Sequence, residues 1–173
     1  MIFNGNYQFR GTHADKVNRL TGAFNKANNQ LFARNLDVYV LAPIVGFLYN
    51  RTAAQTTGSS PANVLYEQIS RELHSLWFNY RLIMLLDKRY EPDFDKRVDK
   101  AFRSYGKEQA LPDEEHYEEY VRGGVDVLYE KLIESSNSED DYLNNLYSFM
   151  EKFEERYGQN SDEIVGLCRL ARS

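Results

Sequence analysis

Residues 64–87 read VLYEQISRELHSLWFNYRLIMLLD, and apolar side chains recur along them at the spacing of an α-helix. They predict a helix of about 25 residues, about 37 Å long at 1.5 Å per residue. Its apolar face is wide enough to be covered on more than one side, which is typical of the central helix of a bundle. The dipeptide Ser60-Pro61 just before it is a start signal, because proline is favoured in the first turn of a helix.

Shorter helical patterns lie on both sides of this segment. Thr12 with Asp15 resembles a capping box and opens a helix that ends at Thr21. Further helices are predicted to begin near Pro92, Pro112, Ser138 and Ser161. The pair Gly123-Gly124 leaves open whether the helix from Pro112 is one bent helix or two joined by a hinge. The predicted fold class is all-α: one domain over residues 1–173, a bundle of six to seven helices with a long central helix.

Residues 38–49, VYVLAPIVGFLY, form the most apolar run of the chain. Spanning a bilayer takes ~20 residues, so this run is too short, and we predict no membrane contact. Its β-branched residues leave a strand open. We expect a helix kinked at Pro43, since no partner strand is evident elsewhere in the sequence.

The composition excludes several classes of protein. The chain has 173 residues, of which 42% are hydrophobic and 27% charged. Its one cysteine, Cys168, cannot form an intramolecular disulfide or a cysteine-based zinc site, and its apolar neighbours predict a small buried residue. The start, MIFNGNYQFRG, lacks the pattern of a secretory signal, so we expect a cytoplasmic protein.

Charge is divided unevenly along the chain, whose net charge is −5. Residues 1–60 carry +4 and residues 61–173 carry −9, and the polar loop TAAQTTGSS (52–60) lies at the boundary. The candidate nucleic-acid-binding residues of the basic amino-terminal region are Arg10, Lys16, Arg19, Lys26 and Arg34. The simpler interpretation, which we prefer, is that this region docks on the acidic helices of its own chain or on a second copy.

The acidic cluster DEEHYEEY, residues 113–120, is the most enzyme-like feature of the sequence. Glu115 and Glu118, three residues apart on a helix, are similar to the Mg²⁺-binding pairs of all-α nucleotide pyrophosphohydrolases. The second pair of those enzymes is missing here. Carboxylates are also favoured in the first turns of a helix for structural reasons, and we expect a solvated acidic helix start.

No nucleophile motif, phosphate-binding glycine loop or histidine-based metal spacing occurs in the sequence, so no catalytic residue and no cofactor is predicted. The thirteen tyrosines favour a role in protein contacts, since tyrosine is enriched at interfaces. The sequence therefore predicts a non-enzymatic helical adaptor or structural subunit of a cytosolic multi-protein assembly, with a protein partner or as a homo-oligomer. A nucleic-acid-binding accessory subunit is the alternative, and a Mg²⁺-dependent all-α hydrolase is the weaker one.

Overall fold

A computed structural model describes residues 2–58, 60–158 and 162–173. This part of the chain forms two short strands and eight α-helices, which confirms the predicted all-α class. The elements are β1 (Tyr7–Phe9), α1 (Gly11–Leu20), α2 (Asn35–Leu48), β2 (Ala62–Val64), α3 (Tyr66–Arg71), α4 (Leu73–Leu86), α5 (Phe94–Val98), α6 (Leu111–Leu132), α7 (Glu139–Tyr157) and α8 (Asp162–Arg172). A π-helical turn, Asp99–Arg103, continues α5, and a 3₁₀ turn, Glu108–Ala110, precedes α6.

Helix α6 is the centre of the fold, and its most extensive contact is with α2. It runs without a break through Gly123 and Gly124, so the glycine pair is not a hinge. A β-carbon on Gly124 would lie 1.8 Å from the carbonyl oxygen of Ala42, and one on Gly46 would lie 2.1 Å from that of Tyr120. The glycines therefore let the backbones of α2 and α6 approach one another directly.

The single long helix predicted over residues 64–87 is wrong. Val64 belongs to β2, which pairs antiparallel with β1 and lies opposite Tyr7. The chain is thus extended where the prediction began a helix, and the start signal at Ser60-Pro61 is wrong too, because helix α3 begins only at Tyr66. A second interruption lies at Glu72, whose backbone angles (φ −108°, ψ 12°) separate α3 from α4. The longest helix is α6, with 22 residues.

The apolar run at residues 38–49 is a helix, as expected, and forms most of α2 with Pro43 inside it. Buried Asn79 on α4 donates a 2.7 Å hydrogen bond to the carbonyl oxygen of Val40, which joins the two helices. Within the described ranges, no helix is long and apolar enough to cross a membrane.

The two ends of the chain follow the sequence more closely. Helix α1 ends at Leu20 with Thr21 as its cap, as predicted. The predicted helix start at Ser161 lies outside the described residues, and α8 is present from Asp162 to Arg172. Cys168, on α8, is half-buried rather than fully buried, and α8 packs on α4.

Candidate functional site

The basic amino-terminal region packs against the acidic helix α6 of its own chain. The Lys16 ammonium lies 2.7 Å from a carboxylate oxygen of Asp126, and the Arg51 guanidinium lies 2.8 Å from one of Glu130. Opposite charges at this distance attract, and the Lys16 pair is more shielded from solvent than the Arg51 pair. The uneven charge of the sequence is therefore partly neutralised within the fold.

The five basic residues predicted to contact nucleic acid differ in their surroundings. Lys16, Arg19 and Arg34 each bond an acidic or tyrosine side chain of the protein itself. Arg10 and Lys26 are exposed, and Arg10 borders a cleft. Phosphate binding by the first three would have to displace contacts that already exist.

That cleft, which we call the polar cleft, has a volume of about 490 Å³. It lies between β1, the start of α1, the loop after α2 and one face of α6. Its walls are formed by Asn6, Tyr7, Gln8, Phe9, Arg10, His13, Gln55, Glu115, Glu118 and Arg122. Its size falls within the range of small-molecule sites, roughly 300–1,000 Å³.

Glu118 is the acid at the inner wall of the polar cleft, and only 8% of it is exposed. Burial raises the pKa of its carboxyl to about 7, although the hydroxyl groups of Tyr7 and Tyr39 and the charge of Arg122 lower it. The Tyr39 hydroxyl donates to Oε1 at 3.1 Å. The other oxygen, Oε2, is buried and has no hydrogen-bond partner among the described residues.

Glu115 and Glu118, the predicted Mg²⁺ pair, line the same cleft but have different partners. The buried Arg122 guanidinium donates to Glu115 at 2.6 Å and to the carbonyl oxygen of Ala53 at 2.7 Å. Glu118 is held by tyrosine instead. Over residues 2–58, 60–158 and 162–173, no three His, Cys, Asp or Glu side chains are grouped so that they could hold a metal ion.

His13, on α1, is the second buried polar residue of the cleft, with 3% of it exposed. Its Nε2 lies 3.3 Å from the Asp126 carboxylate, to which Lys16 also donates. Burial raises the pKa of Asp126, but the hydrogen bonds from His13 and Lys16 outweigh it, so that the pKa is lowered overall. The other ring nitrogen, Nδ1, is buried and has no partner in the part of the chain that is described.

The acidic cluster at residues 113–120 is only partly solvated, and the expectation of a solvated helix start is wrong for three of its five acids. Asp113, Glu114 and Glu118 are all buried. The segment after α4 covers Asp113 with the Tyr90 hydroxyl at 2.7 Å and the Lys100 ammonium at 2.6 Å. The sequence does contain a signal for this burial. Tyr117, Tyr120 and Val121 lie at helical spacing among the acids, and these buried residues carry their acidic neighbours into the core.

Helix α7 is the least covered element, and none of its residues is fully buried. Its inner side packs against the core through Tyr142, Leu146 and Phe149. Beside these lies a row of exposed apolar side chains, Leu143 (52% exposed), Tyr147 (72%) and Met150 (61%), which we call the α7 stripe. Residues three and four apart share one face of a helix, so the stripe is continuous.

An apolar groove of about 420 Å³ adjoins the α7 stripe where α7 meets α2. Its walls are formed by Leu41, Val45, Phe149, Met150, Phe153, Glu154, Tyr157 and Gly158. Met150 belongs to both the stripe and the groove. The stripe and groove together form an apolar surface of the kind that marks protein contacts.

No family model, curated protein or solved structure matches the chain, so the two surfaces must be interpreted from their own chemistry.

Proposed function

We propose that the protein is a helical adaptor or structural subunit of a cytosolic multi-protein assembly, and that its α7 stripe binds a basic amphipathic helix of a partner protein. The observation that carries the proposal is the exposure of Leu143, Tyr147 and Met150 in one row beside an apolar groove. A helix that lays its apolar face in such a groove is a recurring mode of recognition. Burying a large apolar side chain contributes roughly 1.5–3 kcal/mol.

Charge supports a basic partner. Helix α7 carries six acidic side chains and two basic ones. Glu154 lies at the edge of the groove itself, beside Met150. A partner helix with lysines or arginines flanking its apolar face would pair with these acids, and the attraction would weaken as salt is added.

A second copy of this chain is a poorer partner for the α7 stripe than a different protein with a basic amphipathic helix. The basic residues of the amino-terminal region are the only large excess of positive charge in the sequence, and Lys16 and Arg51 already pair with α6. Much of the basic face is thus engaged within each copy, while Arg10 and Lys26 are exposed outside these pairs. The preferred occupant is therefore a helix from a different protein.

The test uses a synthetic helical peptide of about 20 residues, with leucines three and four apart and flanking lysines, and a second peptide with glutamates in place of the lysines. Fluorescence anisotropy with the full chain should show binding of the basic peptide only, weakened by salt. Tyr147→Asp and Met150→Asp should each weaken binding about tenfold or more, because each buries a charge in an apolar contact. Leu111→Asp, at an exposed apolar residue in the first turn of α6, is the matched control and should bind normally.

Two results would overturn the proposal. One is equal binding of the acidic peptide, or wild-type binding by both stripe variants. The other is a dimer, seen by light scattering, that Tyr147→Asp dissociates, because the occupant of the stripe would then be a second copy.

A further inference from the structure

Two side chains that line the polar cleft each have a buried polar atom without a partner in the described residues, Glu118 Oε2 and His13 Nδ1. Each belongs to a side chain that is more than nine-tenths buried. A buried polar atom without a hydrogen bond is costly, so such atoms mark a place where a ligand or water completes the structure. Two of them on the walls of one cleft indicate a built site.

Both atoms need the same kind of ligand group. Because the Nε2 of His13 faces Asp126, the neutral ring donates from Nε2 and leaves Nδ1 as an acceptor, while the protonated ring makes Nδ1 a donor. Glu118 behaves in the same way. Tyr39 donates to Oε1, so Oε2 is an acceptor when the carboxyl group is ionised and carries the proton when the group is neutral. A hydroxyl group both donates and accepts, and so bonds each atom in either state.

The charges around the cleft also select the ligand. Arg10 is exposed at its edge, and the two hydrogen bonds of Arg122 use two of the five N–H donors of its guanidinium. Lys16 lies behind His13, on the same carboxylate. Glu115 and Asp126 neutralise Arg122 and Lys16, so among the described residues Arg10 is the lining cation without a carboxylate partner, and it favours an anionic group. Phosphate has three terminal oxygens with which to accept hydrogen bonds from the two arginines, whereas a carboxylate has two.

We propose that the polar cleft binds a sugar phosphate, with sugar hydroxyls on Glu118 and His13 and the phosphate on Arg10 and Arg122. The ligand is either a free sugar phosphate or the sugar-phosphate portion of a nucleotide. This site is separate from the α7 stripe and does not depend on it.

Isothermal titration calorimetry of the full chain tests the proposal with ribose 5-phosphate, adenosine monophosphate, ribose and inorganic phosphate. Ribose 5-phosphate or adenosine monophosphate should bind at least tenfold more tightly than ribose or inorganic phosphate. Tighter binding of the nucleotide identifies a nucleotide site, and tighter binding of ribose 5-phosphate identifies a free sugar phosphate.

Two variants place the ligand in the cleft. Arg10→Ala removes an exposed side chain and should weaken binding about tenfold. Glu118→Leu removes both carboxyl oxygens, and should weaken binding by a similar factor with the circular dichroism spectrum unchanged. Arg71→Ala, at an exposed arginine on α3, is the matched control and should bind normally. The proposal is overturned if neither phosphate compound binds, if inorganic phosphate binds as well as both, or if Arg10→Ala and Glu118→Leu bind like the wild type.

Discussion

Gly124→Ala adds one methyl group at the crossing of α2 and α6, and we expect it to destabilise the protein. The new β-carbon would lie 1.8 Å from the Ala42 carbonyl oxygen, where ordinary contact begins at 3.4 Å. The atom in the way is backbone, so no side chain can rotate aside. The two helices would have to move apart by about 1.6 Å, the difference between these distances.

Two opposing effects set the magnitude. Alanine is a better helix former than glycine by about 1 kcal/mol, which favours the variant. Overpacking typically costs about 1–3 kcal/mol, and we expect about 3 kcal/mol here because it also separates the most extensive helix contact of the fold. We therefore expect a net loss of about 2 kcal/mol in the free energy of unfolding.

Urea denaturation followed by circular dichroism measures this loss. With a slope of about 2 kcal/mol per molar urea, the midpoint should fall by about 1 M. Gly166→Ala is the matched control, because this glycine lies in α8 and a β-carbon there meets nothing within 4 Å. The control should gain up to about 1 kcal/mol from helix propensity. Equal stabilisation by both variants would refute the close crossing of α2 and α6.

Two further predictions concern buried acids. The folded state holds the Glu118 proton up to a pKa of about 7, whereas the unfolded state releases it near 4.5, so the free energy of unfolding should fall as pH rises between these values. Urea titrations at several pH values measure this dependence. Glu118→Gln should remove the fall in the free energy of unfolding between pH 4.5 and 7, and an unchanged pH dependence would contradict the raised pKa of Glu118. Burial raises the pKa of Asp87, but hydrogen bonds from His116 and Tyr120 outweigh it and lower the pKa to about 2. Asp87→Asn should cost about 1.5–3 kcal/mol at neutral pH, with the loss shrinking as pH falls from 3.8 towards 2, and a loss that does not change with pH would contradict this.

The sequence predicted the helical class because apolar residues at helical spacing depend only on local order. It did not predict the sheet, since β1 and β2 have three residues each and Tyr7 meets Val64 only through the folded chain. The helix break at Glu72 was also missed, because no glycine or proline marks it. Local periodicity continues through such a break, and tertiary packing decides where the backbone turns.

The candidate sites were predictable to different degrees. Glu118 was singled out from the spacing of acids, but its burial and its tyrosine partners come from distant parts of the chain. Asp126 was not singled out from the sequence, because its contact with His13 joins α1 to α6 across the fold. The glycine pair at 123 and 124 suggested an interruption, whereas in α6 it permits close packing.

The location of the unpaired negative charge explains why two distinct surfaces arise from one acidic chain. On α6, Glu115, Asp126 and Glu130 are each bonded by a basic side chain of the protein. On α7, within the described residues, no ion pair engages Glu151 or Glu154. Lys16 and Arg51 of the amino-terminal region, with Arg122 of α6 itself, thus partly neutralise α6, where the cleft has mixed charge, while the uncompensated charge remains beside the exposed apolar row of α7. A partner attracted by this charge would be directed to α7, and an anionic ligand to the arginines of the polar cleft.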